Sequence, residues 1–166
     1  MNELKELHDA MTTVISAAMP SVVRVEAFPD LEKGFDLPAV FFGLTEFRVA
    51  ADNGTGQTIL DGHFQACILV DPLQDDAEIK AGWIAAKLAQ VLRGQYWGLD
   101  FVESPEDVVA QPDNSSPELA SFIVWGVQWS QKVYVGDLEW PWADGPSGSL
   151  KISVNGEEYV APEDLK

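Results

Sequence analysis

Two histidines and one cysteine are the residues of this sequence best suited to chemistry. Asp61 and His63 share one parity of a predicted strand, and such a pair could transfer a proton. Strand parity alone is weak support for a catalytic pair, and His8 lies on a predicted helix without a partner of this kind. Two histidines without a cysteine partner also cannot supply a structural zinc site. We therefore interpret both histidines as solvated side chains.

The cysteine and the loops give no stronger sign of a reaction centre. Cys67 lies in "FQACILV" among apolar residues, which predicts a buried small hydrophobic side chain. "DPLQDDAE" (71–78) has enough acids for a cation loop but lacks the ligand spacing and central glycine, so helix capping explains it better. "DNGTGQ" (52–57) has two glycines but no P-loop lysine, and it predicts a hairpin turn. The sequence therefore predicts no catalytic, cofactor-binding or metal-binding residue, and a protein that is not an enzyme.

Tryptophans are the other notable side chains. Trp125 and Trp129 share one parity of the alternating stretch 123–136, whose other apolar residues predict a buried strand face. Gln131 is the one polar residue of that parity. A second group is harder to place in a core, and exposed aromatic residues often anchor a partner surface. The candidate interface residues are Trp140, Trp142, Tyr134 and Trp83.

Charge restricts the partners. The 166 residues include ten Lys and Arg against 27 Asp and Glu, a formal net charge of −17. Such a chain repels nucleic acid. The charge serves either solubility or a surface that must lie beside DNA without binding it. No apolar run approaches the ~18 residues of a membrane span, and the acidic N-terminus does not resemble a signal peptide.

Hydrophobic periodicity predicts helices, strands and two regions. The second helix has a capping-box spacing from Asp75 to Glu78, and Gly94 can close it in the left-handed conformation. The predicted fold class is α+β, a mainly antiparallel sheet with helices packed against it. Residues 1–136 form this domain, and 137–166 form a C-terminal arm with a β-hairpin at Asn155-Gly156. The predicted helices are 3–18 and 71–94, and the predicted strands are 21–28, 37–50, 58–70 and 123–136, with short strands possible at 99–103 and 107–111.

Three stretches carry a resemblance to a known family. "LPAVFFGL", "DGHFQACILVD" before an alanine-rich helix, and "VWGVQWSQKVYVG" together resemble tail terminator proteins, also called tail completion proteins, of long-tailed bacteriophages. The resemblance covers roughly residues 1–136 and rests on hydrophobic patterns. It implies a tail-terminator-like α+β domain without catalytic residues or a cofactor.

The resemblance also implies a role and partners. Such subunits form a homo-oligomeric ring, usually a hexamer, that caps the head-proximal end of the tail tube and stops tube polymerisation. The implied partners are the tail tube protein and the head-tail connector protein, with DNA passing through the lumen and no membrane contact. The implied location is the tail-neck region of the virion, after synthesis in the host cytoplasm.

Three alternatives stay open. The chain could be another neck or tail component, such as a head-tail stopper or a tube subunit. It could be an acidic DNA-mimic inhibitor, although its acids are scattered along the sequence. A small enzyme would reveal itself by a deep pocket with perturbed carboxylates or His63. The arm serves contacts with other subunits or neck proteins, or else it packs on its own domain.

Overall fold

The structure is a computed structural model that describes residues 3–31 and 34–139. Trp140, Trp142 and the hairpin predicted at Asn155-Gly156 lie outside the described residues, as does most of the predicted arm. The elements are α1 (Glu3–Ala18), β1 (Arg24–Ala27), β2 (Ala39–Val49), β3 (Thr58–Val70), α2 (Ala77–Leu92), β4 (Glu106–Pro112), a 3-10 turn (Pro117–Leu119) and β5 (Ile123–Val135).

The fold is α+β, as the periodicity predicts. The described strands form one five-stranded sheet in the order β1-β2-β3-β5-β4. β2, β3, β5 and β4 pair antiparallel, whereas β1 runs parallel to β2, so the sheet is mixed. β2 and β3 form the predicted hairpin, and β3 and β5 pair along their whole length, from Thr58 opposite Val135 to Val70 opposite Ile123.

One residue interrupts the regular pairing of β2. Leu44 lies opposite Phe64, and Glu46 lies opposite His63, so Thr45 is an extra residue, a β-bulge. Its Oγ1 donates a hydrogen bond of 3.0 Å to the His63 carbonyl. Beyond the bulge, Phe47 and Val49 therefore share the sheet face of Leu60.

Both helices contribute to one core on one face of the sheet, which we call the helix face. Trp129 is its largest fully buried side chain and stacks on Phe64, with ring centroids 5.5 Å apart. Trp125 is only half-buried, and α2 packs close to it because a Cβ at Gly82 would lie 3.2 Å from its ring. The helix residues that are completely buried are Leu7, Met11, Ile15, Ala81, Ala85, Leu88 and Leu92.

Gln131 shows how a polar residue fits on the helix face. Its Oε1 accepts a 3.0 Å hydrogen bond from the Trp97 indole, and its Nε2 donates to the Glu103 carbonyl at 2.6 Å. Gln131 is 2% exposed and Trp97 is 4% exposed. The side chain therefore fixes the irregular segment 93–105 against β5, and Trp97 joins the core although it lies outside every helix and strand that the sequence predicts.

The opposite face, which we call the open face, has little cover. A small apolar cluster forms at one end, where Phe35 packs edge-to-face on Phe41 at 4.8 Å and Phe122 lies 5.6 Å from Phe35. Elsewhere the face carries the polar residues of β3 and β5. These are Asp61, His63, Gln65, Gln128, Ser130 and Lys132.

Several predictions were wrong in detail. His8 is 8% exposed and not solvated, because it lies four residues after Leu4 and beside the buried Leu7. Its ring lies 4.9 Å from the Phe28 ring, and its Nδ1 donates to the Leu4 carbonyl at 2.6 Å. Cys67 is only half-buried, because it belongs to the open face.

The predicted cap of α2 was also wrong. Asp76 is the residue at the N-cap and takes a left-handed conformation, with φ of 55°, so its side chain makes no capping hydrogen bond. The C-terminal prediction is confirmed, because Gly94 follows the helix with φ of 64°.

Candidate assembly surfaces

The outer side of α2 carries the most prominent apolar residues of a described helix. Ile79 and Trp83 lie one turn apart and are 73% and 71% exposed. The core stripe of α2 contains Ala81, Ile84, Ala85 and Leu88, so Trp83 points away from it. Trp83, a predicted interface residue, therefore lies on the outside of the described domain.

A hollow of about 260 Å³ adjoins Trp83. It lies where the end of α1 and the following turn meet α2, and its wall is largely apolar. Its lining residues are Ala18, Met19, Pro20, Ser21, Val22, Trp83, Ile84, Lys87 and Gln90.

Two lysines flank Trp83 at helical spacing. Lys80 precedes it by three residues and Lys87 follows it by four, so all three side chains lie on one side of α2. Each ammonium group donates to a neutral amide, Lys80 to the Gln74 Oε1 at 2.6 Å and Lys87 to the Gln90 Oε1 at 3.0 Å. We call Ile79, Lys80, Trp83, Lys87 and the adjoining hollow the Trp83 surface. It combines an aromatic anchor with positive charge on a chain of net charge −17.

Tyr134, another predicted interface residue, is half-buried on the open face, and its hydroxyl serves the domain itself. The hydroxyl donates to the Glu103 carboxylate, which Lys132 also approaches at 3.4 Å. This hydrogen bond, with help from Lys132, lowers the pKa of Glu103, and the same hydrogen bond raises the pKa of Tyr134. Tyr134 therefore fixes segment 99–105 to β5 and does not lie with Trp83.

The candidate catalytic pair does not form a hydrogen-bonded unit. Asp61 pairs across the sheet with Lys132, and His63 pairs with Ser130. His63 lines an open hollow of about 290 Å³ together with Thr45, Asp107, Gln128 and neighbouring residues. No group of three or more His, Cys, Asp or Glu side chains is placed to hold a metal ion within residues 3–31 and 34–139.

Cys67 lines an apolar hollow of about 300 Å³ beside the end of β1. Burial is the main cause that raises the pKa of its thiol, and Asp113 adds to the effect. A raised pKa keeps the thiol protonated and weakly nucleophilic. No helix in the described part of the chain is long and apolar enough to cross a membrane.

Comparisons with known proteins give one solved structure to report. No family model matches the sequence, and no curated protein matches it. The chain is similar in structure to a protein described as the PVC sheath/tube terminator, in its extended state, of an extracellular contractile injection system. Identity is 13% and the TM-score is 0.46, with 96% of this chain covered. The chain spans 66% of the length of that protein, so the likeness is a coarse one.

Proposed function

We propose that this chain is a structural tail terminator, whose copies form a ring at the head-proximal end of a tail tube. The Trp83 surface is the observation that carries the proposal, because it provides each subunit with an apolar contact that its own described residues leave uncovered. The resemblance of residues 1–136 to tail terminators supports the same role. The proposed action is assembly without a catalytic step.

The Trp83 surface has the composition of a subunit contact. Tryptophan is among the residues that contribute most to binding at interfaces, and the hollow beside it can accept a side chain of a neighbour. A contact between this patch and a different patch of the next copy would be heterologous, and such contacts form a ring when the rotation between successive copies closes. The proposed ring is a hexamer.

The negative net charge of the subunits opposes assembly of such a ring. Copies with a net charge of −17 repel one another, so positive groups at the contact relieve the repulsion locally. Lys80 and Lys87 flank Trp83 and can pair with acids of the neighbouring copy. The remaining acids would suit a lumen through which DNA passes without being held. The proposed partners are the tail tube protein and the head-tail connector protein, and the proposed place is the tail-neck region of a virion.

Negative-stain imaging of the full-length protein tests the ring directly. Class averages should show a ring with a central hole and sixfold symmetry. The variant Trp83→Asp should abolish rings, because it places a carboxylate where the contact needs an apolar anchor. It should keep its unfolding free energy within about 0.5 kcal/mol, as expected for a surface substitution.

Val109→Asp is the matched control. Val109 is 52% exposed and lies on β4, opposite Gln128 on the open face, away from α2. It introduces the same charge and should leave rings intact. Rings that persist in Trp83→Asp would remove the Trp83 surface as the subunit contact. A wild-type protein that stays monomeric, even with tail tube protein present, would contradict the terminator role.

A further inference from the structure

β2 is much longer than the strand beside it. β1 pairs with β2 only from Ala39 to Phe42, whereas β2 continues to Val49. The Phe28 N–H donates to the Phe42 carbonyl at 2.9 Å, and the Phe28 ring then fills the space beside Gly43. From residue 44 to residue 49, no described strand lies on this side of β2. We call residues 44–49 the open edge.

The open edge offers backbone groups for pairing. The Ala50 N–H donates to the Ile59 carbonyl at 2.9 Å and so points toward β3. Successive residues of an antiparallel strand direct their backbone groups to opposite sides, so those of Val49 and Phe47 point away from β3. Unpaired groups in a row are a template for another strand, and natural proteins usually cover them.

The side chains of the open edge are also uncovered. Phe47 is 51% exposed and Val49 is 68% exposed. They lie opposite Gly62 and Leu60, so they belong to the helix face, at the end that the helices leave bare. A strand placed beside them with apolar residues on the same face would bury part of both side chains.

The described chain ends at Glu139, beside the turn that follows the open edge in the sequence. The Glu139 N–H donates to the Thr55 carbonyl at 2.8 Å, and its side chain lies against Gly56. Thr55 and Gly56 belong to the turn that joins β2 to β3, six and seven residues after Val49 in the sequence. The ten residues 140–149 can span up to about 33 Å, whereas six residues of strand extend about 20 Å. The chain beyond residue 149 can therefore reach every position of the open edge.

We propose that residues 150–154, "LKISV", pair antiparallel with the open edge of β2 in the same chain. Leu150, Ile152 and Val154 share one parity and would continue the apolar face of Phe47 and Val49. Lys151 would then lie on the other face, which is the face of Glu46, and give an opposite-charge pair.

Two further arguments favour this occupant. A two-stranded hairpin is marginal alone, so the hairpin that Asn155-Gly156 predicts needs a surface, and a sheet edge supplies it. A short tether gives the segment a millimolar effective concentration at its own edge, which favours it over a second copy at ordinary concentrations. The inference goes beyond the proposed function, because it assigns 150–154 to the domain.

Residue-resolved amide exchange on the full-length protein tests the pairing. The amides of Phe47 and Val49 should be protected although nothing described covers them. In Ile152→Asn their exchange should quicken about tenfold or more, because the added strand loses its central apolar contact. The Ala50 amide, which is bonded to β3, should keep its rate and serves as the internal control.

Ser153→Asn is the matched control variant, because it puts the same side chain on the opposite face of the proposed strand. It should leave the exchange of Phe47 and Val49 unchanged. Fast exchange of both amides in the wild type, or no response to Ile152→Asn, would overturn the pairing. Protection that rises with protein concentration together with mass in light scattering would assign the edge to a second copy and also overturn the proposal.

The amide-exchange experiment tests the strand pairing independently of the proposed ring. Images of Ile152→Asn that keep rings but lose protection would support the pairing and leave the terminator role untouched. Loss of rings in Trp83→Asp with unchanged protection concerns only the Trp83 surface.

Discussion

The two faces of the sheet differ in what they contribute. The helix face carries α1, α2 and a continuous core in which Phe64 and Trp129 stack. The open face has a small cluster around Phe41 at one end and polar side chains elsewhere. An antiparallel sheet can leave one face in water when the other supplies enough burial. Stability is therefore expected to depend on the helix face, and β5, which contributes to both faces, allows a direct test.

The largest expected effect is at Trp129. Trp129→Ala should lower the unfolding free energy by roughly 3–5 kcal/mol, the usual cost of truncating a large buried aromatic residue. Gln128→Ala, one residue away on the open face, should change it by less than about 0.5 kcal/mol. Urea unfolding of both variants measures the difference. Equal effects at the two positions would contradict the division of the sheet into a stabilising and a neutral face.

Gln131 tests whether a polar residue on the helix face also contributes to the unfolding free energy. Gln131→Ala should cost about 1–3 kcal/mol, because the buried Trp97 indole N–H then lacks its acceptor. Urea unfolding gives the total, and amide exchange of residues 95–103 should quicken because their anchor on β5 is gone. A loss no larger than that of Gln128→Ala would show that water replaces the glutamine at no cost.

The smallest expected effect is the acid response of the open face. The hydrogen bond from Tyr134 lowers the pKa of Glu103 below its ordinary value of 4.5. A group with a depressed folded pKa stabilises the fold above its unfolded pKa, and that contribution disappears as the pH falls through the folded pKa. The stability advantage of wild type over Tyr134→Phe should therefore be constant near neutral pH and shrink below pH 4.5. The effect is small because the Glu103 side chain is 41% exposed. A constant difference across the acid range would contradict it.

Periodicity in the sequence predicted the helix face well. α1 was predicted as 3–18 and β3 as 58–70, and both are confirmed. Trp129 was predicted as core from strand parity and is 2% exposed. These segments obey the periods of 3.6 and 2 residues because one side of each is buried along its whole length.

The sequence was less informative where burial comes from tertiary contact. Trp97 lies in an irregular segment with no period, and only its pairing with Gln131 makes it core. The polar Gln131 in an apolar parity was the available signal, because a buried amide requires a partner. The length of β5 is matched within the domain, since β3 pairs with all of it and β4 or segment 101–103 lies along its other side.

The candidate surface was only partly predictable. The spacing of α2 separated Trp83 from the core stripe, so its exposure follows from the sequence. The hollow beside it depends on how the end of α1 meets α2, and no local pattern encodes that meeting. Trp83 and Tyr134 were predicted as interface residues from their residue type alone. The structure places Trp83 on the outer side of α2 and Tyr134 on the open face of the sheet.

Thr45 sets the phase of everything after it in β2. Because strand side chains alternate with a period of two, a β2 that kept Thr45 in the regular pairing would place Glu46 and Arg48 on the helix face and turn Phe47 and Val49 to the other side. The exclusion of a single residue from the pairing thus decides which side of the hairpin tip is apolar and which is charged. Loss of the bulge with Thr45 retained would invert the tip, whereas deletion of Thr45 would remove the bulge and leave every later side chain on its present face.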